Sequence, residues 1–337
     1  MCFEKNIFIP GAQKSGTSTV YEILQRHSQI AACQIKEPQF FALEESTVKE
    51  YSWWYENLFG EENSAAFSLE ASTFYFSSKW AHQNISRHVN YPYFLIVLRD
   101  PVQRAYSAHA HMNKKLPTCD QRSFDEIVKA IERHVEQGRT IREAESNALH
   151  EAIQDNKVKA SYLDEDYLRN LIDAPFKSRF EDPLWPYRYF DVSQYHGKVR
   201  QFQKIFGASR VKVIVFEELI GRPSRVIKEV FDFLDLPVES PKTLTLPHKN
   251  RTRVPSGRVG RGLIWLQENS DVAGEAWRKL RSRVGPLAEF LRNVVWNPKP
   301  QLSKSTYERA RKLLRDEYAY WEERIDCVGS MWVCNSR

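Results

Sequence analysis

Apolar residues fall along this chain in two patterns. Short, largely apolar runs occur at Asn6–Pro10, Tyr93–Leu98 (YFLIVL) and Val211–Phe216 (VKVIVF), which read as strands, and the continuous run Tyr93–Leu98 is of the kind buried on both faces of a parallel sheet. Spaced apolar positions follow or precede them: Val20, Ile23 and Leu24 within Thr17–His27, and the stretches Tyr195–Phe206 and Ser224–Leu234, which read as helices with one buried face. A further helix starts at Asp100-Pro101, where proline suits the first turn. Strand and helix thus alternate, and the prediction is an α/β fold: a parallel β-sheet flanked by helices on both faces.

Other stretches are polar with helical spacing, notably Ser123–Gln137 and Ile141–Asn156. They read equally as solvated helices or as walls and lids over the carboxyl edge of the sheet, where ligands bind in this architecture. Ser303–Arg324 reads as one long amphipathic helix with Leu313, Leu314, Tyr318 and Trp321 as its stripe. No linker rich in Pro, Gly or Ser divides the chain, so a single domain over 1–337 is expected, with a helical insertion around 113–187 and a C-terminal helical segment around 262–337.

Composition sharpens this only in places. The balance of 49 Lys and Arg against 43 Asp and Glu leaves +6 over 337 residues, enough to favour anionic ligands but far short of a nucleic-acid-coating protein. Apolar runs such as Phe94–Leu98 are a fraction of the roughly 20 residues of a membrane span, and Glu4, Lys5 and Asn6 interrupt any signal-like start. Five cysteines without a CxxC pair indicate neither a disulfide scaffold nor a zinc ribbon, and fit a reducing compartment. Two glycosylation sequons, Asn84-Ile-Ser86 and Asn250-Arg-Thr252, bear on the same question.

Candidate chemistry begins at Gly11-Ala-Gln-Lys14-Ser15-Gly16-Thr17-Ser18, which has the frame of a P-loop between a strand and a helix. In the nucleoside-triphosphate form a lysine follows the second glycine; here Thr17 stands there and Lys14 lies inside the loop. What remains is a nest of backbone N–H groups at a helix N-terminus with the hydroxyls of Ser15, Thr17, Ser18 and Thr19, suited to a single phosphate-like group. The blander alternative is a Ser/Thr-capped turn. A second motif, Arg99-Asp100-Pro101 through Arg104 to Ser107, puts a guanidinium at a strand end and a hydroxyl about two helical turns on, a clamp for a second phosphate.

These two motifs resemble those of the sulfotransferases that use 3′-phosphoadenosine 5′-phosphosulfate (PAPS). Gln13–Ser18 is similar to their 5′-phosphosulfate loop, and Arg99 to Ser107 to their 3′-phosphate motif. Lys36-Glu37-Pro38-Gln39-Phe40-Phe41 resembles the KEPxFF-type segment of the carbohydrate-modifying and bacterial branch, and Leu69–Phe76 (LEASTFYF) lies where that branch contacts acceptor. The likeness extends to Tyr195–Leu236 and Trp332. The late cofactor loop is matched in part by Arg251, Arg253, Ser256, Gly257 and Arg258, a basic run that could equally meet an anionic polysaccharide.

The resemblance implies the sulfotransferase fold, PAPS as donor, 3′,5′-adenosine bisphosphate (PAP) as product, and no metal. It implies Glu37 as the base that takes the acceptor proton, and Lys14 as the stabiliser of charge on the leaving phosphate. Ser15, Gly16, Thr17, Ser18, Thr19, Arg99 and Ser107 would hold the donor, and Lys36, Glu70 and Ser72 the acceptor, to which the aromatic character of Trp53 adds a further candidate contact. Glu70 could also serve as alternate base or merely pair with a cation, and Trp53, Trp54 and Tyr55 could stack on a sugar or anchor a helix. His109 and His111 are more in keeping with structural or solvated roles. The expected acceptor is a hydroxyl-bearing small molecule or saccharide; a small-molecule kinase and a non-catalytic nucleotide-binding module are the alternatives. The expected location is the cytoplasm, or else a soluble catalytic part of a Golgi-anchored enzyme.

Overall fold

The computed structural model describes residues 3–60, 65–115, 120–158, 174–239, 246, 253–255, 296–298, 301–325 and 332. The chain divides into two compact units, one formed by Met1–Ala105, Ser161–Lys249 and Arg311–Arg337, the other by Tyr106–Ala160 and Asn250–Ala310.

The first unit is built on five strands: β1 (Lys5–Gly11), β2 (Ile30–Ala32), β3 (Phe67–Glu70), β4 (Pro92–Leu98) and β5 (Val211–Val215). They are all parallel, in the order β2-β3-β1-β4-β5. The P-loop strand therefore lies at the centre, and the carboxyl ends of β1, β3 and β4 lie side by side. Alternation within each strand sends residues to two cores. Ile7, Ile9, Leu69, Leu95, Val97 and Ile214 face the helices Thr17–Leu24 and Pro223–Leu234. On the opposite face Phe8 and Phe94 stack at 5.7 Å, and Phe94 meets Phe202 at 4.9 Å and Phe206 at 4.4 Å, both on the helix Tyr195–Phe206. Two apolar faces need two helical layers, as the unbroken runs of β1 and β4 require.

The β1–β4 register breaks between Phe8 and Gly11. That irregularity releases the chain from the ladder into the loop after β1, where Ala12 N–H still donates to Val97 O at 2.8 Å.

The second unit holds the helices Phe124–Glu136 and Ile141–Gln154, each opened by a full capping box, Ser123 with Glu126 and Thr140 with Glu143. A buried Asp120–Arg122 ion pair at 2.8 Å joins them through Arg122 Nη1, which donates to Ala148 O. The unit also contains β6 (Arg253–Pro255), antiparallel to β7 (Trp296–Pro298).

One sequence expectation is corrected here. Ser303–Arg324 is not one helix but two, Lys304–Leu313 and Arg315–Glu322. The break is at Leu314, whose backbone (φ −100°, ψ 18°) sits in the bridge region while its side chain is buried. Continuous apolar spacing does not reveal such a step, because both halves keep the same 3.6-residue rhythm.

Candidate active site

Three segments meet at the carboxyl edge of the sheet within the first unit. The loop after β1 leads into the helix Thr17–Leu24 through Gly16, whose backbone is left-handed (φ 95°). Glycine is required there twice over. The φ value disfavours any side chain, and a Cβ would stand 2.5 Å from the Phe216 ring. Lys14 is also left-handed (φ 68°), a conformation that non-glycine residues hold chiefly where surroundings impose it. Ser15 is wholly buried, and its Oγ has no hydrogen-bond partner. A buried hydroxyl without a partner is costly in a finished fold, and its position at a helix N-terminus is what an anion would satisfy.

The second segment follows β4. Arg99 donates from Nη1 to Lys14 O at 3.3 Å, so the two phosphate-type motifs touch directly. Its guanidinium lies over the Phe216 ring at 5.0 Å, and its buried Nε has no partner. Behind it, Asp100 N–H donates to Glu217 Oε1 at 3.1 Å, and Trp332 Nε1 donates to Glu217 Oε2 at 3.1 Å. Burial pushes the Glu217 carboxyl up from its ordinary range, against the pull of these donors and of Arg99. Asp100 is itself buried: its Oδ1 accepts Gln103 N–H at 2.7 Å and its Oδ2 accepts Tyr318 O–H at 3.0 Å. Arg104 is fully buried and bound to Ser193 Oγ and Tyr189 O, so of the two arginines in the motif it is Arg99 that faces the loop.

The third segment is Lys36–Phe41. Glu37 and Gln39 are both left-handed (φ 60° and 55°), and the segment is fastened to the end of β3. Glu37 N–H donates to Ala71 O at 3.0 Å, and Gln39 N–H donates to Ser72 Oγ at 3.0 Å. The Glu37 carboxylate is about one-third exposed (32%) and accepts from Gln39 Nε2 and Thr73 Oγ1, each at 3.1 Å. Lys36 pairs with Glu37 at 3.9 Å and donates to Ser18 Oγ, linking this segment to the loop.

Of the residues singled out in the sequence, the structure thus brings Lys14, Ser15, Gly16, Thr17, Ser18, Lys36, Glu37 and Arg99 together. Thr19 lies one residue further along the same helix. Glu70 and Ser72, expected at the acceptor, are each only 1% exposed and turn toward the Glu37 segment. Trp53 is 55% exposed on the helix Ser52–Asn57, while Tyr55 of that helix stacks on Phe40 at 4.8 Å. Ser107 is buried on the helix Pro101–Lys115, in its second-unit portion. His109, on the same portion, is buried with Nε2 hydrogen-bonded to Arg122 O. Arg251, Ser256, Gly257 and Arg258 lie outside the described residues, and Arg253 is described only as backbone of β6. Among the described residues no cluster of three or more His, Cys, Asp or Glu is placed to hold a metal, and no helix is long and apolar enough to cross a membrane.

Sequence reasoning missed Phe216 and Glu217, which support Arg99 from the end of β5. The signal available was their position, the third strand end of a sheet whose other strand ends carry the site.

Residues 4–253 match the family described as sulfotransferase domain, and the chain belongs to that family. Among characterised proteins it is similar to the membrane-associated sulfotransferase kil1 of Dictyostelium discoideum, with 23% identity over 274 residues, 68% of this chain and 56% of the relative. It therefore spans little more than half of that relative's length. Among solved structures it is similar to a sulfotransferase from Alicyclobacillus acidocaldarius, at 24% identity over 71% of this chain and 87% of that one, with a TM-score of 0.43. It is also similar to the sulfotransferase domain of the Synechococcus PCC 7002 olefin synthase, at 11% identity over 93% and 95% of the two chains, with a TM-score of 0.41.

Proposed function

We propose that this sulfotransferase takes its sulfuryl group from PAPS and delivers it to an acceptor hydroxyl of a carbohydrate, glycolipid or related natural product, with Glu37 as base. The observation that carries the reading is a pair of buried polar atoms without partners, Ser15 Oγ and Arg99 Nε, one in each phosphate-type motif. Both are donors, and both motifs converge through the Arg99–Lys14 contact. A ligand with two anionic ends fits that donor set. Bound there, PAPS would supply a sulfuryl group already activated by its phosphate leaving group.

The chain's own residues then divide the work. The first-turn amides and the hydroxyls of Ser15, Thr17, Ser18 and Thr19 hold the 5′ end, and Arg99 holds the 3′-phosphate through charge-assisted hydrogen bonds. Ser107 keeps the second role in that clamp on the strength of its motif, as Arg251, Arg253, Ser256, Gly257 and Arg258 keep theirs in the late loop. Lys14 meets negative charge as it builds on the leaving oxygen. Glu37 takes the acceptor proton, with the Lys36 ammonium 3.9 Å from its carboxylate. Lys36 also borders the acceptor space, with Trp53 offering an exposed ring face to a sugar. We place the protein in the cytoplasm. Its few cysteines suit that compartment, and the Asn84 amide is buried, donating to Phe41 O and Leu43 O at 2.9 Å each, which leaves no room for a glycan at the first sequon.

Calorimetry tests the donor class directly. Metal-free PAP is expected to bind tightly, and ATP with magnesium weakly, because Thr17 stands where a triphosphate-reading lysine belongs. The reverse preference would make the protein a kinase of P-loop type. In the same assay Arg99→Ala is expected to weaken PAP binding by about 1.5–3 kcal/mol, the range for hydrogen bonds to charged groups. Unchanged affinity would remove Arg99 from the clamp.

A further inference from the structure

Beneath the Glu37 segment lies a buried acid that the reaction as drawn does not use. Glu70 ends β3 and is 1% exposed. Its Oε2 accepts from Tyr55 O–H at 2.8 Å and from Tyr75 O–H at 3.1 Å. The Tyr75 oxygen in turn accepts Phe41 N–H at 3.0 Å, and the Tyr55 ring stacks on Phe40 at 4.8 Å and meets Phe41 edge-on at 5.0 Å. Two and three residues beyond Glu70, Ser72 accepts from Gln39 N–H and Thr73 donates to Glu37 Oε2.

Residues 70–73 and 37–41 therefore form a clasp, and the clasp holds the two left-handed residues Glu37 and Gln39 in a costly backbone conformation. We infer that Glu70 is the positioning residue of this clasp: its ionised carboxylate draws in the hydroxyls of Tyr55 and Tyr75, and through them fixes the segment that carries Glu37. The inference rests on the reading of Glu37 as the base, and it concerns geometry rather than contact with either substrate.

The charge on Glu70 then matters. Burial pushes its carboxyl up to about 7, and the neighbouring Glu37 charge adds to this, while Ser72, Tyr55 and Tyr75 pull it down. The other titratable groups around it are Cys33, whose thiol burial pushes well up, and Tyr21, pushed up to about 12, both of which feel the Glu70 charge. Below pH of about 7 the carboxyl holds a proton and its hold on the two phenols weakens; above it, the charge-assisted bonds are complete. The effect on stability has the opposite sign. Glu70 binds its proton more readily folded than unfolded, so its contribution to stability is full below the unfolded value of about 4.3 and is lost as pH rises through the folded value.

The experiment is amide hydrogen exchange on the full chain, comparing wild type with Glu70→Gln and Tyr75→Phe. Tyr75→Phe is expected to speed exchange at Phe41 by about tenfold, the factor set by one lost hydrogen bond, and Glu70→Gln, whose amide oxygen still accepts but without the charge, to speed it at Gln39 and Phe41 to a smaller extent, with β1 and β4 unchanged. Unchanged exchange at Gln39 and Phe41 in both variants overturns the proposal, as does loss of protection throughout the sheet in both. PAP release from PAPS, with octyl glucoside and with water alone, supplies the functional arm. Wild-type turnover is expected to rise as pH passes through 7, and Glu70→Gln to lack that rise while binding PAP as the wild type does. A rise that persists in Glu70→Gln belongs to another group and overturns the charge-dependent part. Failure of the Glu37 reading shows separately, as turnover that survives Glu37→Gln while the exchange result stands.

Discussion

Glu37→Gln is expected to lower kcat for sulfuryl transfer by about 10²–10⁴-fold, the usual contribution of a positioned general base, with PAP affinity unchanged. Glutamine has the same shape, and its amide oxygen can still accept from Gln39 Nε2 and Thr73 Oγ1 as the carboxylate does. The left-handed backbone at 37 is also undisturbed, since neither residue is glycine. The substitution therefore removes the proton acceptor and the charge facing Lys36, and little else. Single-turnover measurement of PAP formation from PAPS, set beside calorimetric PAP affinity, separates the two effects. Wild-type kcat in the variant would take the base role from Glu37.

The second large effect is expected at Lys14. Its carbonyl oxygen takes the Arg99 hydrogen bond whatever the side chain, so Lys14→Ala leaves that junction in place while deleting the ammonium. If the ammonium meets charge that appears only as the bond to the leaving oxygen breaks, the loss falls on the chemical step. The scale is about 10²–10³ in kcat, as for removal of one donor to a developing anion. PAP retains its affinity to the extent that Ser15 and the first-turn amides hold it. A variant that loses PAP binding and transfer in equal measure would make Lys14 a uniform binder rather than a stabiliser of the transition state.

How much of this was legible in the sequence depends on length and on locality. The runs at 6–10 and 93–98 were found as strands because a strand buried on both faces has no polar interruption. The helix Tyr195–Phe206 was found with its ends, and Pro223 at the start of the helix Pro223–Leu234 does what proline does at a first turn. β2 and β3, three and four residues long, are too short for any period to show, and it is their pairing with each other and of β3 with β1 that makes them strands. The loop after β1 and Arg99 were readable because each motif is contiguous in sequence. The Glu70–Tyr75–Phe41 connection was not, since it joins residues that the fold brings together across thirty-four positions between Tyr75 and Phe41. Glu70 was legible as a candidate carboxylate, but whether such a group faces a substrate or a pair of phenols is decided by tertiary packing.

The Phe216 ring stands against both anion-binding motifs, close enough to Gly16 to exclude a methyl group and beneath the Arg99 guanidinium, which lies 5.0 Å from the ring centroid. One side chain thus sets the spacing of two walls. Over evolutionary time neither wall can be retuned by itself: a smaller residue at 216 would loosen the arginine while it relaxed the loop, and a bulkier one would press on both. Preference for a shorter or longer ligand must therefore arise through joint changes at 16, 99 and 216, and in diverging lineages these three positions are expected to drift as a set.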